Sequence, residues 1–286
     1  MFKDERIVSI RAYLLDPNDV PPELDTEGMT EEVMDWRRQK VANPMTKYPE
    51  FRDNRTAGTG NGASAPVIVI AESASGHIGV GSTNGGVAAA AIVELHLAGI
   101  VEGESVFAHE RVWDRMFHST IAYGRKGLVL HAISAVDLAL WDLHGQITQT
   151  PVYALLGGPM RESIEVYGTG PSPSKIHELG FWGSKLPLTW GPSEGADGFR
   201  RNIERARRAR EAVGDDFPLL YDCWMALDVD YAVRLAWALE PLGFRWIEEP
   251  LMPDDYAGHA ELRRRMPPRM QLTSGEHEYT ARGHDL

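Results

Sequence analysis

The sequence predicts an α/β protein with an antiparallel N-terminal part and a parallel C-terminal part. Three observations predict it. Two short β-rich runs flank a glycine turn near the N-terminus. A helical stripe, Ile133, Val136, Leu140 and Leu143, recurs at three- and four-residue spacing. From Ser163 onward, strand-like segments alternate with helical ones of about a dozen residues, the pattern of βαβ units around a parallel sheet. The chain has 286 residues, 43% of them hydrophobic, which suits two domains, or one large one, with a buried core and is too apolar for a disordered chain.

In chain order, Arg6 to Leu14 alternates as an opening strand. Asp16 to Asn43 is polar and rich in Pro and acids, with Trp36 its only large aromatic. It reads as a long loop holding at most one short helix, a length more often functional than idle. Pro66 to Glu72 and Gly76 to Gly81 form a β-hairpin. The amphipathic stripe follows, with Gly145 expected to stop its helix and the LLGG run at 155–158 marking a boundary. Strands are then expected at 163–170, 180–188, 218–224, 244–250 and 270–277. Helices are expected at Asp197–Val213, Val229–Leu239 and near Tyr256–Arg265.

Composition narrows the function classes. The balance of 29 Lys+Arg against 41 Asp+Glu gives −12, which repels polyanions, so neither nucleic acid nor an anionic membrane is an expected partner. Local cations or a metal still allow a small anionic substrate. The lone Cys223 has no partner within the chain for a disulfide, and a reducing compartment fits it. Charged residues fill the N-terminus where a signal peptide has its apolar core, and the run from Gly86 to Leu95 is far shorter than the ~20 residues of a membrane span. A soluble, cytoplasmic protein is expected.

Three strand-like segments end in carboxylates: Asp222, Glu248 (with Glu249 beside it) and Glu276, spaced 26 and 28 residues apart. In a parallel barrel all strand C-termini open on one face, where these residues would converge. A single acid at a strand end is often a helix cap or turn residue. Three in phase point instead to a hard cation such as Mg²⁺, which takes a few carboxylates and completes its octahedron with water or substrate oxygens. Cys223 alternates with Asp222 and is expected in the core, and Trp190 is expected to pack rather than wall the site.

The run from Ile133 to Gly158 resembles the helix-and-boundary signature of the enolase superfamily, in its mandelate racemase and muconate lactonizing branch. YDCW, WIEEP and TSGEH resemble the third, fourth and fifth barrel strands of that family. Within the branch the chain is most similar to the L-rhamnonate dehydratase group, through NPMTKY (43–48), the 127–143 segment, YGTGPSP, GFWGSKLPLTWGP, DCWMALDVDYA and TSGEHE. The resemblance implies an N-terminal α+β capping domain, 1–160, followed by an incomplete (β/α) TIM-type barrel, 161–286, with about five of the eight strands and Mg²⁺ bound between the two. Asp222, Glu248 and Glu276 match the Mg²⁺ ligands. Glu249 is expected not to ligate but to pair with a Lys or Arg.

The same resemblance implies that Arg55 binds substrate. Where many relatives place Lys-x-Lys on the second barrel strand, this chain has Lys185-Leu186-Pro187. Pro187 offers no base, which argues against racemisation, epimerisation and cycloisomerisation. Lys185 either orients the substrate carboxylate or pairs with a strand-end acid; Lys185 and His277, the latter beside a metal ligand, are both candidates for substrate contact and for catalysis. The implied reaction removes the proton α to the carboxylate of a small sugar acid and eliminates water to give a 2-keto-3-deoxy acid.

Two departures shape the expectation. No His stands between Asp16 and Asn43, where the close relatives carry a substrate-binding one. The His–Asp dyad that moves the proton belongs to strands beyond Leu286, so this chain is expected to lack that base and to bind Mg²⁺ weakly. The alternatives are an inactive, truncated chain or an interaction protein, and another dehydratase or racemase of a sugar acid. A homo-oligomer is expected of the full-length protein.

Overall fold

The computed structural model describes residues 5–15, 36, 40–51 and 65–284. Two compact units divide the chain, Met1–Leu24 with Thr59–Glu162, and Asp25–Gly58 with Ser163–Leu286.

The first unit contains an antiparallel sheet ordered β1 (Ile7–Leu14), β2 (Val67–Ser73), β3 (Ile78–Thr83). The β2–β3 hairpin closes where the Ser73 N–H donates to the His77 carbonyl at 2.9 Å. Helices α1 (Gly86–Val101, with a π-helical turn at Val93–Leu97), α2 (His109–Thr120), α3 (Leu128–Thr148) and the short α4 (Val152–Leu155) follow. All four residues of the predicted stripe on α3 are buried. The helix runs past Gly145 to Thr148. It ends at Gln149, in the left-handed region at φ 54°, whose N–H returns to the Gly145 carbonyl, so the stop comes four residues after the expected glycine. Although α3 is long and apolar enough to cross a membrane, half of its apolar window is buried inside the protein.

The second unit is built on a parallel sheet in sequential order: β4 (Tyr167–Thr169), β5 (Gly183–Pro187), β6 (Leu219–Asp222), β7 (Phe244–Glu248) and β8 (Gln271–Thr273). Helices α5 (Pro173–Glu178), α6 (Gly195–Val213), α7 (Val229–Leu239) and α8 (Tyr256–Arg265) alternate with these strands, and α9 (Thr280–His284) follows β8. Period-two alternation sorts each strand. Leu186, Leu219, Tyr221 and Ile247 join Ala206, Leu235, Leu239 and Leu262 in one buried apolar cluster, leaving Lys185, Asp222 and Glu248 for the other face. Buried Arg210 on α6 donates to the carbonyls of Gly214, Phe217, Leu242 and Gly243, satisfying backbone acceptors at the entries to β6 and β7.

All five parallel strands are shorter than the sequence suggests, the first and the last most of all. β4 keeps three residues of 163–170, and among the described residues β5 is its one hydrogen-bonded neighbour. β8 keeps three residues of 270–277, because Ser274–His277 leave the ladder to hydrogen-bond a side chain of β7's end.

Asn43 caps the 3-10 turn Pro44–Lys47 by accepting from the Met45 N–H at 2.9 Å. The Ala42 N–H donates to the Leu188 carbonyl, and the Ser193 hydroxyl to the Thr46 carbonyl. These contacts dock NPMT beyond the end of β5. Of the long polar stretch before it, Trp36 and residues 40–43 are described; the short helix considered there otherwise lies outside the described residues, as does Arg55.

Candidate metal centre

Strand register brings the charged residues together. Pro187 is the partner of Asp222, and Asp222 is the partner of Glu248, across β5, β6 and β7. Side chains two apart on a strand share a face, so Lys185 rises beneath Pro187 on the face that bears the two acids. Its ammonium lies 3.2 Å from Asp222 Oδ2 and hydrogen-bonds Glu248 Oε1. The Tyr167 ring stands 5.6 Å from the same nitrogen. Two carboxylates from neighbouring strands thus converge on one cation.

Their remaining oxygens are also placed. Asp222 Oδ1 accepts the Trp224 N–H at 3.1 Å, and Glu248 Oε2 lies 3.4 Å from Trp246 Nε1. Burial pulls the Lys185 pKa down, but the hydrogen bond to Glu248 and the charges of Asp222 and Glu248 outweigh it, so the ammonium is held above its ordinary value. Lys185 therefore pairs with strand-end acids, one of the two roles open to it.

Glu276 sits three residues past β8 and is exposed. With Asp222 it lines a pocket of about 200 Å³, walled by Trp36, Ala42, Pro187 and Trp224. The donor chemistry fits a hard divalent cation: three carboxylates from the C-terminal ends of adjacent parallel strands, two of them already sharing a cation. As they stand, no three His, Cys, Asp or Glu side chains among the described residues are grouped closely enough to chelate, because Lys185 occupies the point shared by Asp222 and Glu248 while Glu276 stands at the rim.

Glu249 departs from expectation. It is 1% exposed, and it meets Ser274, Gly275, Glu276 and His277 rather than a Lys or Arg. His277 Nδ1 lies 3.0 Å from Glu249 Oε2. Cys223 is fully buried, and burial, then the charges of Asp222 and Glu248, push its thiol well up, leaving an inert core residue. Asn202 bonds the Trp190 backbone N–H and carbonyl, and the Arg201 guanidinium lies 5.0 Å from the Trp190 ring.

Trp224 is the wall that the sequence reading missed. It follows Asp222 by two residues and adopts φ 39°, with Met225 at φ 61°. A β-turn-like reversal of two non-glycine residues in the left-handed region leaves no compositional trace. Its adjacency to a metal-ligand candidate was the available signal.

The matches to known proteins cover both units. Residues 45–157 match the mandelate racemase/muconate lactonizing enzyme N-terminal domain, and residues 174–285 match the enolase C-terminal domain-like family. An L-rhamnonate dehydratase of Saccharopolyspora erythraea is 55% identical over 251 residues, 88% of this chain and 64% of the relative. A relative from Caldivirga maquilingensis is 46% identical over 282 residues, 99% of this chain and 69% of its own length. The crystal structure of a rhamnonate dehydratase from Gibberella zeae complexed with Mg superposes with a TM-score of 0.88 at 33% identity, covering 100% of this chain and 69% of that one. The chain thus spans about two thirds of the length of the relatives it matches.

Proposed function

We propose, from the premise that this chain belongs to the mandelate racemase/muconate lactonizing enzyme family of the enolase superfamily, that it serves a Mg²⁺-dependent dehydratase of L-rhamnonate-type sugar acids. The observation that carries this reading is the convergence of Asp222 and Glu248 on one cation, with Asp222 and Glu276 lining one pocket, in a chain similar along its length to a named L-rhamnonate dehydratase.

Asp222, Glu248 and Glu276 would hold Mg²⁺, which when bound stabilises the negative charge that builds on the substrate carboxylate as the proton beside it leaves. Lys185 keeps the Asp222 and Glu248 carboxylates together and adds positive charge where the substrate carboxylate arrives. Arg55 and His277 are the proposed substrate contacts. Trp36 and Trp224 shield the pocket from water, which strengthens every electrostatic interaction inside it. Pro187 can neither take nor give a proton, which favours a one-sided elimination over racemisation. His277 is the proposed acid–base group within the described residues, contributing about 10²–10⁴-fold if it moves the proton. A soluble, cytoplasmic, homo-oligomeric protein without nucleic-acid or membrane partners fits the acidic surface.

A second reading, association with other chains without turnover, draws on one observation: among the described residues, β4 and β8 each have a single hydrogen-bonded neighbour. Keto-acid formation, followed as semicarbazone absorbance across a panel of aldonic acids with and without EDTA, separates the two. The dehydratase reading expects Mg²⁺-dependent product from L-rhamnonate in the full-length protein, lost in Asp222→Asn. Racemised substrate without keto acid would refute dehydration, and no turnover together with concentration-dependent assembly would favour the second reading.

A further inference from the structure

We propose that Glu249 is a positioning residue that sets the place of the Glu276 carboxylate and the tautomer of the His277 imidazole. Beside Glu248 it looks redundant, but the backbone separates their tasks. Glu249 adopts φ 45°, so the chain turns over at the end of β7 and the two carboxylates diverge. Glu248 meets Lys185, while Glu249 meets the segment that follows β8. Its Oε1 accepts from the Ser274 hydroxyl at 3.2 Å and from the Gly275 and Glu276 N–H groups at 2.8 and 3.1 Å. Two successive N–H groups face one oxygen because Gly275 takes φ 123°, a conformation open to glycine and strained for other residues. The Glu249 N–H donates to the Thr273 carbonyl at 2.9 Å, so the strand end and the loop hold each other at both backbone and side chain.

The fourth contact fixes chemistry as well as position. An ionised carboxylate accepts and never donates. Opposite a carboxylate oxygen, His277 Nδ1, 3.0 Å from Glu249 Oε2, is assigned the proton, and a neutral ring then presents Nε2 as an unprotonated acceptor. Three donors, the Ser274 hydroxyl and the N–H groups of Gly275 and Glu276, already meet Oε1, which leaves Oε2 for His277. Glutamine at this position would set its NH₂ either against the loop N–H groups or against His277 Nδ1–H. Its cost thus falls on the loop that presents Glu276 or on the tautomer of His277.

The part concerning Glu276 rests on the metal reading above, while the tautomer part does not. The test uses the full chain labelled with ¹⁵N-histidine, observed at about pH 8, where an ordinary imidazole is neutral. The wild-type protein is expected to show His277 chiefly as the Nδ1–H tautomer, and Glu249→Gln to shift it toward Nε2–H. Mn²⁺ binding, followed by electron paramagnetic resonance, is expected to weaken at least about tenfold in Glu249→Gln. Ser274→Ala, which removes one donor of four, is expected to weaken it less and leave the tautomer unchanged. An Nε2–H tautomer in the wild-type protein overturns the proposal without any variant. So does a folded Glu249→Gln with unchanged tautomer and Mn²⁺ affinity. A wild-type chain that takes up no Mn²⁺ would instead overturn the metal reading, with the tautomer still deciding the role of Glu249 toward His277.

Discussion

In the antiparallel sheet, β3 meets α3 through bare backbone, whereas the C-terminal edge of the parallel sheet is crowded with charge. A Cβ added at Gly81 would lie 2.0 Å from the Ala135 carbonyl oxygen, and one at Gly79 would lie 2.1 Å from that of Ala139. At the ends of β5, β6 and β7, Lys185, Asp222 and Glu248 share one largely buried cluster, with Glu249 turned away beside them. Shape is the constraint in the first region and charge balance in the second. A small side chain should therefore break the first and leave the second chemically intact, while removing a charge should do the reverse.

The largest effect is expected from Gly81→Ala. Backbone on a packed helix cannot move aside as a flexible side chain does, so the cost should exceed the about 1–3 kcal/mol typical of overpacking. Urea unfolding followed by circular dichroism checks this, and an unchanged midpoint would mean that α3 and β3 are free to separate.

Lys185→Met comes next. Removing one partner from a buried ion cluster typically costs about 3–5 kcal/mol, because the remaining charges stay buried. Mg²⁺ should restore part of that loss, since a divalent cation can answer the same two carboxylates. Unfolding in Mg²⁺ and in EDTA provides the comparison. Equal stability of Lys185→Met in both would separate the carboxylate pair from any metal.

Asp137 on α3 gives the smallest effect and tests the first region electrostatically. Burial, and then the charge of Glu110, raise its pKa to about 6. Between its ordinary value near 3.8 and about 6, the folded protein holds more protons than the unfolded chain, so Asp137 lowers stability as pH rises through that window. The penalty is complete above it. Asp137→Asn should therefore be the more stable protein at neutral pH, with the advantage vanishing below pH about 4. Denaturant midpoints of the two proteins across this range decide it, and a constant difference would exclude the buried carboxylate as its source.

Much of this contrast is legible in the sequence, for identifiable reasons. The stripe on α3 and the helices Val229–Leu239 and Tyr256–Arg265 follow from apolar spacing, because burial acts on those same positions. Asp222, Glu248 and Glu276 stand out because one βα unit separates each from the next. The role of Glu249 does not, because it depends on a left-handed residue that sends neighbouring carboxylates in opposite directions, and on a loop 25 or more residues away in sequence. The end of α3 was misplaced for a related reason: Gln149 supplies the left-handed cap that a glycine usually provides. Trp224 stayed hidden behind two consecutive left-handed residues.

Asp222, Glu248 and Glu276 are proposed as one cation site at the C-terminal edge of the parallel sheet. Mn²⁺ titration by electron paramagnetic resonance on the wild-type chain, Asp222→Asn, Glu248→Gln and Glu276→Gln tests it most directly. The account predicts one competable Mn²⁺ per chain, displaced by Mg²⁺, with each substitution weakening binding at least about tenfold, as expected when a charged ligand is removed from a site built of few carboxylates. Wild-type affinity in any of the three variants would contradict it.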